Sequence, residues 1–230
     1  LKDDPRWRGY DVPPKSNANY GWILNMASKL SENGVAGFIL ADGALSGGGE
    51  EYKIRRKLIE NNLVEAILVL PQDMFYTTNI SVTIWILNKN KKAHSRSIGD
   101  EARHYRNREK EILFMDLRQI GEPFEKKFIQ FSEEDIRDIA TTYHNWQQEN
   151  TTYADIPEYC YSASFDEVAK KEFSLVPSKY IEFVNRDENI DFDKKMASLQ
   201  SEFSELLKSE EQSKKDLLTV FSELGYEIKI

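Results

Sequence analysis

Two adjacent aromatic residues, Phe75 and Tyr76, follow an apolar run in the stretch LPQDMFYTTNISVTIWILNK, residues 70–89. Flat rings at the end of a strand can stack on a nucleic-acid base that has been rotated out of its helix. Polar side chains at residues 77–79 could then orient that base. Packing of Phe75 on the end of the sheet, with Trp85 in the core, is an equally good interpretation of either ring alone.

A basic cluster, Arg55, Arg56 and Lys57, lies in a predicted helix over residues 50–61 and could bind DNA phosphates. The apolar residues of that helix are expected to face inward: Ile54, Leu58 and Ile59. This spacing places the three basic side chains outside. A solvated helix face is nevertheless the commoner outcome for such a cluster.

Two further motifs carry weaker signals. Residues 47–49 are three glycines before this helix, where free amides could attract a phosphate. Neither the Lys-Ser/Thr of a P-loop nor a dinucleotide-binding pattern accompanies them, so a flexible loop is the better interpretation. The segment Val12-Pro13-Pro14-Lys15 has no Asn or Asp before the prolines and no aromatic residue after them. It cannot hold an amino group or stack on a base, and it predicts a rigid turn.

Composition and charge limit the classes of protein that fit this chain. Among 230 residues, 40% are apolar and four are Trp, which excludes a disordered chain. No apolar run approaches bilayer length and no signal peptide opens the chain, so we expect a soluble cytoplasmic protein with no membrane contact. The single Cys160 and three dispersed His residues form no spaced ligand set, and we expect no metal site.

The charge is distributed unevenly along the chain. Residues 1–118 carry 18 Lys and Arg against 15 Asp and Glu, or +3, whereas residues 119–230 carry 13 against 24, or −11. Phosphates repel an acidic surface, so the second half is unsuited to reading DNA. If DNA is bound, another polypeptide is expected to supply most of the contacts.

The pattern of apolar residues predicts alternating helices and strands in the first half. Asn17 can cap a helix that reaches about Leu30. Residues 34–40 and 63–70 are apolar runs typical of strands that are buried on both faces. Together they predict a layered α/β sheet in which these two strands lie side by side. The link over residues 71–81 has no helical period, so the next strand, residues 82–88, is predicted to return antiparallel at the edge.

The remainder is predicted in less detail. Residues 89–110 are polar and basic and are interpreted as a mobile loop, followed by a strand over residues 111–117. Ser132 with Asp135, and Ser164 with Glu167, resemble capping boxes that open helices.

The C-terminal segment has the clearest periodicity. Apolar residues recur in steps of four and three with a polar break at Glu210 and Ser213: Phe192, Met196, Leu199, Phe203, Leu206, Leu217, Val220 and Leu224. This heptad pattern predicts a long helix of about 50 Å that contacts another subunit as a coiled coil. A helical hairpin that folds on itself at residues 210–215 is the alternative.

Several segments together resemble the modification subunit of type I restriction-modification systems, a DNA adenine methyltransferase. The segments are NANYGWILNMASKL (17–30), GVAGFILADGALS (34–46), EEYKIRRKLIENNLVEAILVLPQDMFYTTNISVTIWILNK (50–89) and FSLVPSKYIEF (173–183). The resemblance covers nearly the whole chain, and the order of the segments makes it more specific than any single motif.

The resemblance implies the C-terminal part of a Rossmann-like, S-adenosylmethionine-dependent methyltransferase sheet, mixed, with an antiparallel last strand and a mainly helical tail. It implies methyl transfer from S-adenosylmethionine to the exocyclic nitrogen of adenine in double-stranded DNA. The implied partners are a specificity subunit, a second modification subunit and a nuclease/translocase subunit. In such complexes the long C-terminal helix packs against helices of the specificity subunit.

The departures from the family also matter. The family's glycine-rich cofactor loop and its Asn-Pro-Pro-Phe loop would precede Leu1, so we expect no catalytic residue here and no activity of this chain alone. Only Phe75, or Tyr76 in its place, is carried over as the ring that faces the flipped base. The expected domains are the C-terminal part of the methyltransferase domain (1–118), a helical and extended connecting region (119–189) and a subunit-contact helix (190–230).

Two alternatives remain. One is a non-catalytic module that dimerises through its heptad helix. The other is a solitary adenine methyltransferase fused to a nuclease.

Overall fold

A computed structural model describes residues 3–98, 101–184 and 191–225 of the chain. The chain divides into two compact units, Leu1–Phe183 and Val184–Ile230. The boundary predicted between residues 189 and 190 lies outside the described residues. No helix in the described ranges combines the length and the apolar character that a membrane span requires.

The first unit contains nine short strands and four α-helices among its described residues. In chain order the strands are β1 (Val35–Ala41), β2 (Val64–Val69), β3 (Val82–Asn88), β4 (His94–Ile98), β5 (Glu101–Tyr105), β6 (Glu111–Asp116), β7 (Glu122–Phe124), β8 (Phe128–Gln130) and β9 (Cys160–Ser164). The helices of this unit are α1 (Asn19–Lys29), α2 (Gly49–Glu60), α3 (Glu133–Gln147) and α4 (Phe165–Lys170).

Five strands form one mixed sheet in the order β1-β3-β2-β6-β9. Strand β3 is antiparallel to both β1 and β2, whereas β2 and β6 are parallel and β9 is antiparallel to β6. Strands β1, β2 and β6 therefore all run in the same direction. Their carboxyl ends lie at one edge of the sheet.

The predicted neighbour relation of the first two strands is wrong. Strands β1 and β2 do not lie side by side, because β3 is inserted between them and pairs with both. The antiparallel direction of β3 is confirmed, but its position at the sheet edge is not. The link over residues 71–81 returns β3 beside β2, and β1 then occupies the outer side of β3.

Strand β1 is the outermost strand of the described sheet on that side, and it alternates between exposed and partly buried residues. The prediction that it is buried on both faces is wrong, since Val35 is 55% and Ile39 49% exposed. Strand β2 is buried at every residue, as its continuous apolar run predicts.

Side chains from the two faces of the sheet form two cores. On one face, Ile67 of β2 and Trp85 of β3 pack with residues of α1, α2 and α4. On the other face, Leu68 of β2 packs with Met115 of β6 and with Trp146 of α3. Successive residues of a strand point to opposite faces, so each strand serves both cores. The placement of Trp85 in the core is confirmed, with no exposed surface.

Both predicted capping boxes are confirmed. The Ser132 hydroxyl accepts the Asp135 amide at the start of α3 while the Asp135 carboxylate accepts the Ser132 amide, and Ser164 with Glu167 does the same at α4. Helix α1 begins two residues after Asn17, whose side-chain oxygen accepts the backbone N–H of Asn19 at 3.0 Å.

Residues 89–110 are not an irregular loop. Strands β4 and β5 pair antiparallel in register from His94–Tyr105 to Ile98–Glu101 and form a separate hairpin. Residues 99–100 lie outside the described residues. Polar and basic composition masked this hairpin, because its alternation carries little apolar contrast.

The second unit contains one helix, α5 (Phe192–Glu223), of 32 residues. At 1.5 Å per residue it is about 48 Å long. It continues without interruption through residues 210–215, so the helical-hairpin alternative is wrong. Seven of the eight predicted contact residues lie in α5 and Leu224 directly follows it; all eight are exposed, from 40% at Met196 to 70% at Phe192.

Candidate functional site

A cavity of about 840 Å³ lies where the parallel strands end. Its lining includes Ala41 at the end of β1, Pro71 after β2, and Arg118 after β6. Ligands of open α/β sheets commonly bind at the carboxyl ends of the strands, because loops from several strands converge there. This edge is therefore the candidate functional site of the first unit.

Charged side chains of both signs line this cavity: Asp42, Asp73, Arg118 and Lys127. Arg118 is held by the nearly buried Asp116, with Nε donating to Oδ1 at 2.9 Å. This hydrogen bond raises the pKa of the Arg118 guanidinium. Asp42 is exposed, but nearby protein atoms partly desolvate its carboxyl and raise the pKa of that group. The charge of Arg118 opposes that rise. The edge thus presents a positioned guanidinium beside a carboxylate.

The loop over residues 71–81 forms one wall of the cavity and is braced by the β7–β8 hairpin. The Ile129 amide donates to the Asp73 carbonyl at 3.1 Å. Within the loop, Phe75 and Thr78 form an isolated antiparallel bridge. The loop is therefore ordered by contacts at its base and within its turn.

Phe75 and Tyr76, the residues predicted to stack on a base, have different environments. Phe75 is half-buried and packs against the core that contains Leu68 and Met115. Tyr76 is 71% exposed, and its ring meets Phe128 edge-on at a centroid distance of 4.7 Å. Of the two rings, only Tyr76 presents most of its surface to solvent. Their role in base stacking stays a prediction.

Arg55 does not lie on an outer helix face as predicted. It is 2% exposed, and its Nε donates to the Phe173 carbonyl at 2.8 Å while Nη1 donates to the Gly47 carbonyl at 2.7 Å. Its guanidinium therefore fastens the glycine segment before α2 to the segment after α4. Because its donors are directed to these carbonyls, Arg55 is not available as a phosphate contact.

Arg56 and Lys57 reach the surface of α2, as predicted, but both have acidic neighbours. Arg56 Nε lies 2.7 Å from Glu60 Oε1, and Lys57 Nζ lies 3.0 Å from Asp11 Oδ2. Neither side chain lines the cavity at the carboxyl edge. Their contact with DNA phosphates stays a prediction that no feature of the cavity supports.

The sequence reasoning did not identify Asp42, Arg118 and Lys127 as site residues. A signal for two of them was present, because Arg118 directly follows a run that was predicted as a strand and Asp42 lies two residues after another. Charged residues at the ends of parallel strands meet at one edge of a sheet. Lys127 lies in a short hairpin that the sequence did not predict, so its position required the structure.

Comparison with solved structures defines the class of fold. The structure of a type I restriction-modification system methyltransferase subunit from Streptococcus thermophilus matches with a TM-score of 0.66 and 24% identity, over 79% of this chain and 34% of that one. The type I restriction enzyme EcoKI M protein matches with a TM-score of 0.56 and 17% identity, over 85% and 44%. The described chain therefore has the mixed α/β fold of methyltransferase subunits.

The chain belongs to the N-6 DNA Methylase family, whose model matches residues 1–189. It is 36% identical to the type I restriction enzyme HindI methylase subunit of Haemophilus influenzae, over 99% of this chain and 48% of that protein. It is 30% identical to the MjaIX methylase subunit of Methanocaldococcus jannaschii, over 97% and 39%. The chain thus spans about half or less of the length of these relatives.

Proposed function

We propose that this chain is part of a modification subunit that transfers a methyl group from S-adenosylmethionine to the exocyclic amino group of adenine in double-stranded DNA, within a type I restriction-modification enzyme. The observation that carries the proposal is the cavity at the carboxyl edge, which has the exposed Tyr76 ring in its wall loop and a positioned Arg118 in its lining. Family membership supplies the reaction class.

In this proposal the chain's own residues hold the target nucleotide. Tyr76 stacks on the base that leaves the DNA helix, and the half-buried Phe75 supports the loop from beneath. Arg118 and Lys127 bind backbone phosphates next to that nucleotide. Asp116 orients Arg118 so that less side-chain entropy is lost when the phosphate binds.

The cavity residues do not fit S-adenosylmethionine by themselves. No aromatic side chain lines the described cavity for the adenine ring of the cofactor, and residues 47–49 are not part of its lining. The 230 residues contain no Asn/Asp-Pro-Pro-aromatic segment. We therefore propose that residues outside this chain bind the cofactor and the amino group, and that this chain alone does not transfer methyl groups.

The outer edge of β1 supports the proposal that residues outside this chain complete the site. Val35 and Ile39 are about half exposed on a strand whose outer hydrogen-bonding edge has no partner among the described strands. Exposed apolar edge strands promote unwanted pairing and are usually covered. We propose that a further strand of the same methyltransferase sheet pairs with β1 in the longer protein.

The apolar stripe of α5 supports assembly. Seven exposed apolar residues of this helix of 32 residues follow a heptad pattern that Leu224 continues, and none of the described residues of α5 is buried. A stripe of this kind is stabilised by knobs-into-holes packing against another helix. We propose that α5 contacts the specificity subunit, in a complex that also holds a second modification subunit and can recruit a nuclease/translocase subunit.

The decisive experiment compares Tyr76→Ala and Phe75→Ala in the longer protein, assembled with its specificity subunit, by methyl transfer to a duplex that carries the target site. Base–aromatic stacking is worth about 1–3 kcal/mol, so Tyr76→Ala should lower the rate about 10- to 100-fold. Tyr76→Phe, which keeps the ring, is the matched control and should retain most activity. Full activity of both Ala variants would show that neither ring touches the base.

A second candidate function rests on the same stripe of α5, which would also suit a non-catalytic dimerisation module. In that case the 230-residue chain forms a dimer in solution, and deletion of residues 190–230 returns it to a monomer. Methylation by the longer protein would decide against this candidate.

A further inference from the structure

A second cavity, of about 500 Å³, opens at the opposite edge of the sheet from the candidate functional site. Its lining includes Val35, the first residue of β1, and Asn88, the last residue of the antiparallel β3. The β4–β5 hairpin provides another wall through Arg96 and Tyr105. Small-molecule sites commonly have volumes of about 300–1,000 Å³, so the cavity has the size of such a site.

The side-chain oxygens of three amides in this cavity are already occupied by donors of the protein. Asn33 Oδ1 accepts from Asn90 Nδ2 at 2.8 Å. Asn88 Oδ1 accepts the backbone N–H of Asn90 at 2.9 Å, and Asn90 Oδ1 accepts that of Lys92 at 3.2 Å. These three oxygens are therefore already engaged within the protein.

Several donors, in contrast, are not used by the protein. Arg96 is exposed, and its side chain makes no hydrogen bond or ion pair with any residue in the described ranges. The Nδ2 groups of Asn33 and Asn88 likewise have no acceptor among those residues, although their oxygens are bonded. These donors come from three separate segments of the chain, the turn before β1, the end of β3 and strand β4.

A buried arginine forms part of the lining. Arg108 has no exposed surface, and its Nε lies 3.3 Å from Glu65 Oε1. Its Nη1 donates to the carbonyls of Arg106 and Gln147, so the protein itself holds this guanidinium and Glu65 balances its charge. No Asp or Glu side chain lines the cavity.

We propose that this cavity binds a small molecule that carries a phosphate monoester group. Free donors from three segments select a ligand rich in acceptors, and the exposed Arg96 guanidinium adds a positive charge. Donors from three segments can contact more oxygens than the two of a carboxylate. A phosphate monoester supplies three terminal oxygens and a double negative charge.

The test is calorimetric titration of the 230-residue chain at low ionic strength with inorganic phosphate, adenosine monophosphate and adenosine. Both phosphate compounds should bind and adenosine should not. Arg96→Ala should weaken phosphate binding about tenfold, the usual effect of losing one charge-assisted hydrogen bond. Arg137→Ala, which removes an equal charge from the exposed face of α3 away from the cavity, is the matched control and should bind as the parent chain does.

A second variant, Asn33→Asp, separates recognition from folding. It retains the oxygen that accepts from Asn90 but replaces the free Nδ2 donor by a negative charge, and it lies at an exposed position. It should abolish phosphate binding while the urea midpoint stays unchanged. Equal binding of adenosine and its monophosphate, no binding of either phosphate compound, or unchanged binding by Asn33→Asp would each overturn the proposal.

Discussion

Replacement of Arg55 by Ala tests the arrangement that departs most from the sequence-based expectation. Arg55 is buried and donates to the carbonyls of Phe173 and Gly47 at 2.8 and 2.7 Å. Removing the guanidinium leaves a buried carbonyl and a partly buried one without this donor. Each loss costs about 1–2 kcal/mol, so Arg55→Ala should lower the free energy of unfolding by about 2–4 kcal/mol.

The matched control is Arg56→Ala, one residue along α2. Arg56 is exposed and pairs with Glu60 four residues on, and solvent screens such a surface pair so that it contributes little to stability. The two variants remove the same side chain from neighbouring positions of one helix. The difference between them therefore measures the hydrogen bonds of the Arg55 guanidinium together with the packing of its stem.

The assay is urea unfolding followed by tryptophan fluorescence. All four Trp residues lie within Leu1–Phe183, so the signal reports on the first unit and not on α5. With a urea dependence of about 2 kcal/mol per molar, Arg55→Ala should shift the midpoint down by about 1–2 M, and Arg56→Ala by a few tenths at most. Equal midpoints for the two variants would refute the buried role of Arg55.

Two further predictions concern a buried amine and the second unit. Burial lowers the pKa of Lys91 to about 8, so between pH 8 and 9.5 the unfolded chain binds more protons than the folded one. Over that range the free energy of unfolding should rise by about 1–2 kcal/mol relative to Lys91→Met, measured as the pH dependence of the urea midpoint. The same pH dependence in both proteins would contradict this. The double variant Phe203→Glu, Leu206→Glu should abolish co-elution of the longer protein with its specificity subunit, without a shift in the fluorescence midpoint. Ser201→Glu, on the opposite face of α5, should leave co-elution intact. Loss of co-elution in all variants would remove the support for the stripe as the contact surface.

Local patterns predicted those parts of the fold whose causes lie within a few residues. The capping box of Ser132 and Asp135 closes over one helical turn, and the apolar face of α1 repeats with the period of a helix. The resemblance to type I modification subunits, carried by several ordered segments, predicted the family that the comparisons confirm. The same resemblance named Phe75 and Tyr76, but not which ring is exposed.

By itself, therefore, the sequence determined the main strands and helices, the family and the apolar stripe that α5 carries. Only the tertiary structure decided that β3 separates β1 from β2, that Arg55 is buried, and which charges line the cavity at the carboxyl edge. The physical reason is sequence separation. The acceptor that fixes Arg55 lies 118 residues away, and β1 pairs with a strand more than forty positions further on, so nothing in the neighbouring residues encodes either contact.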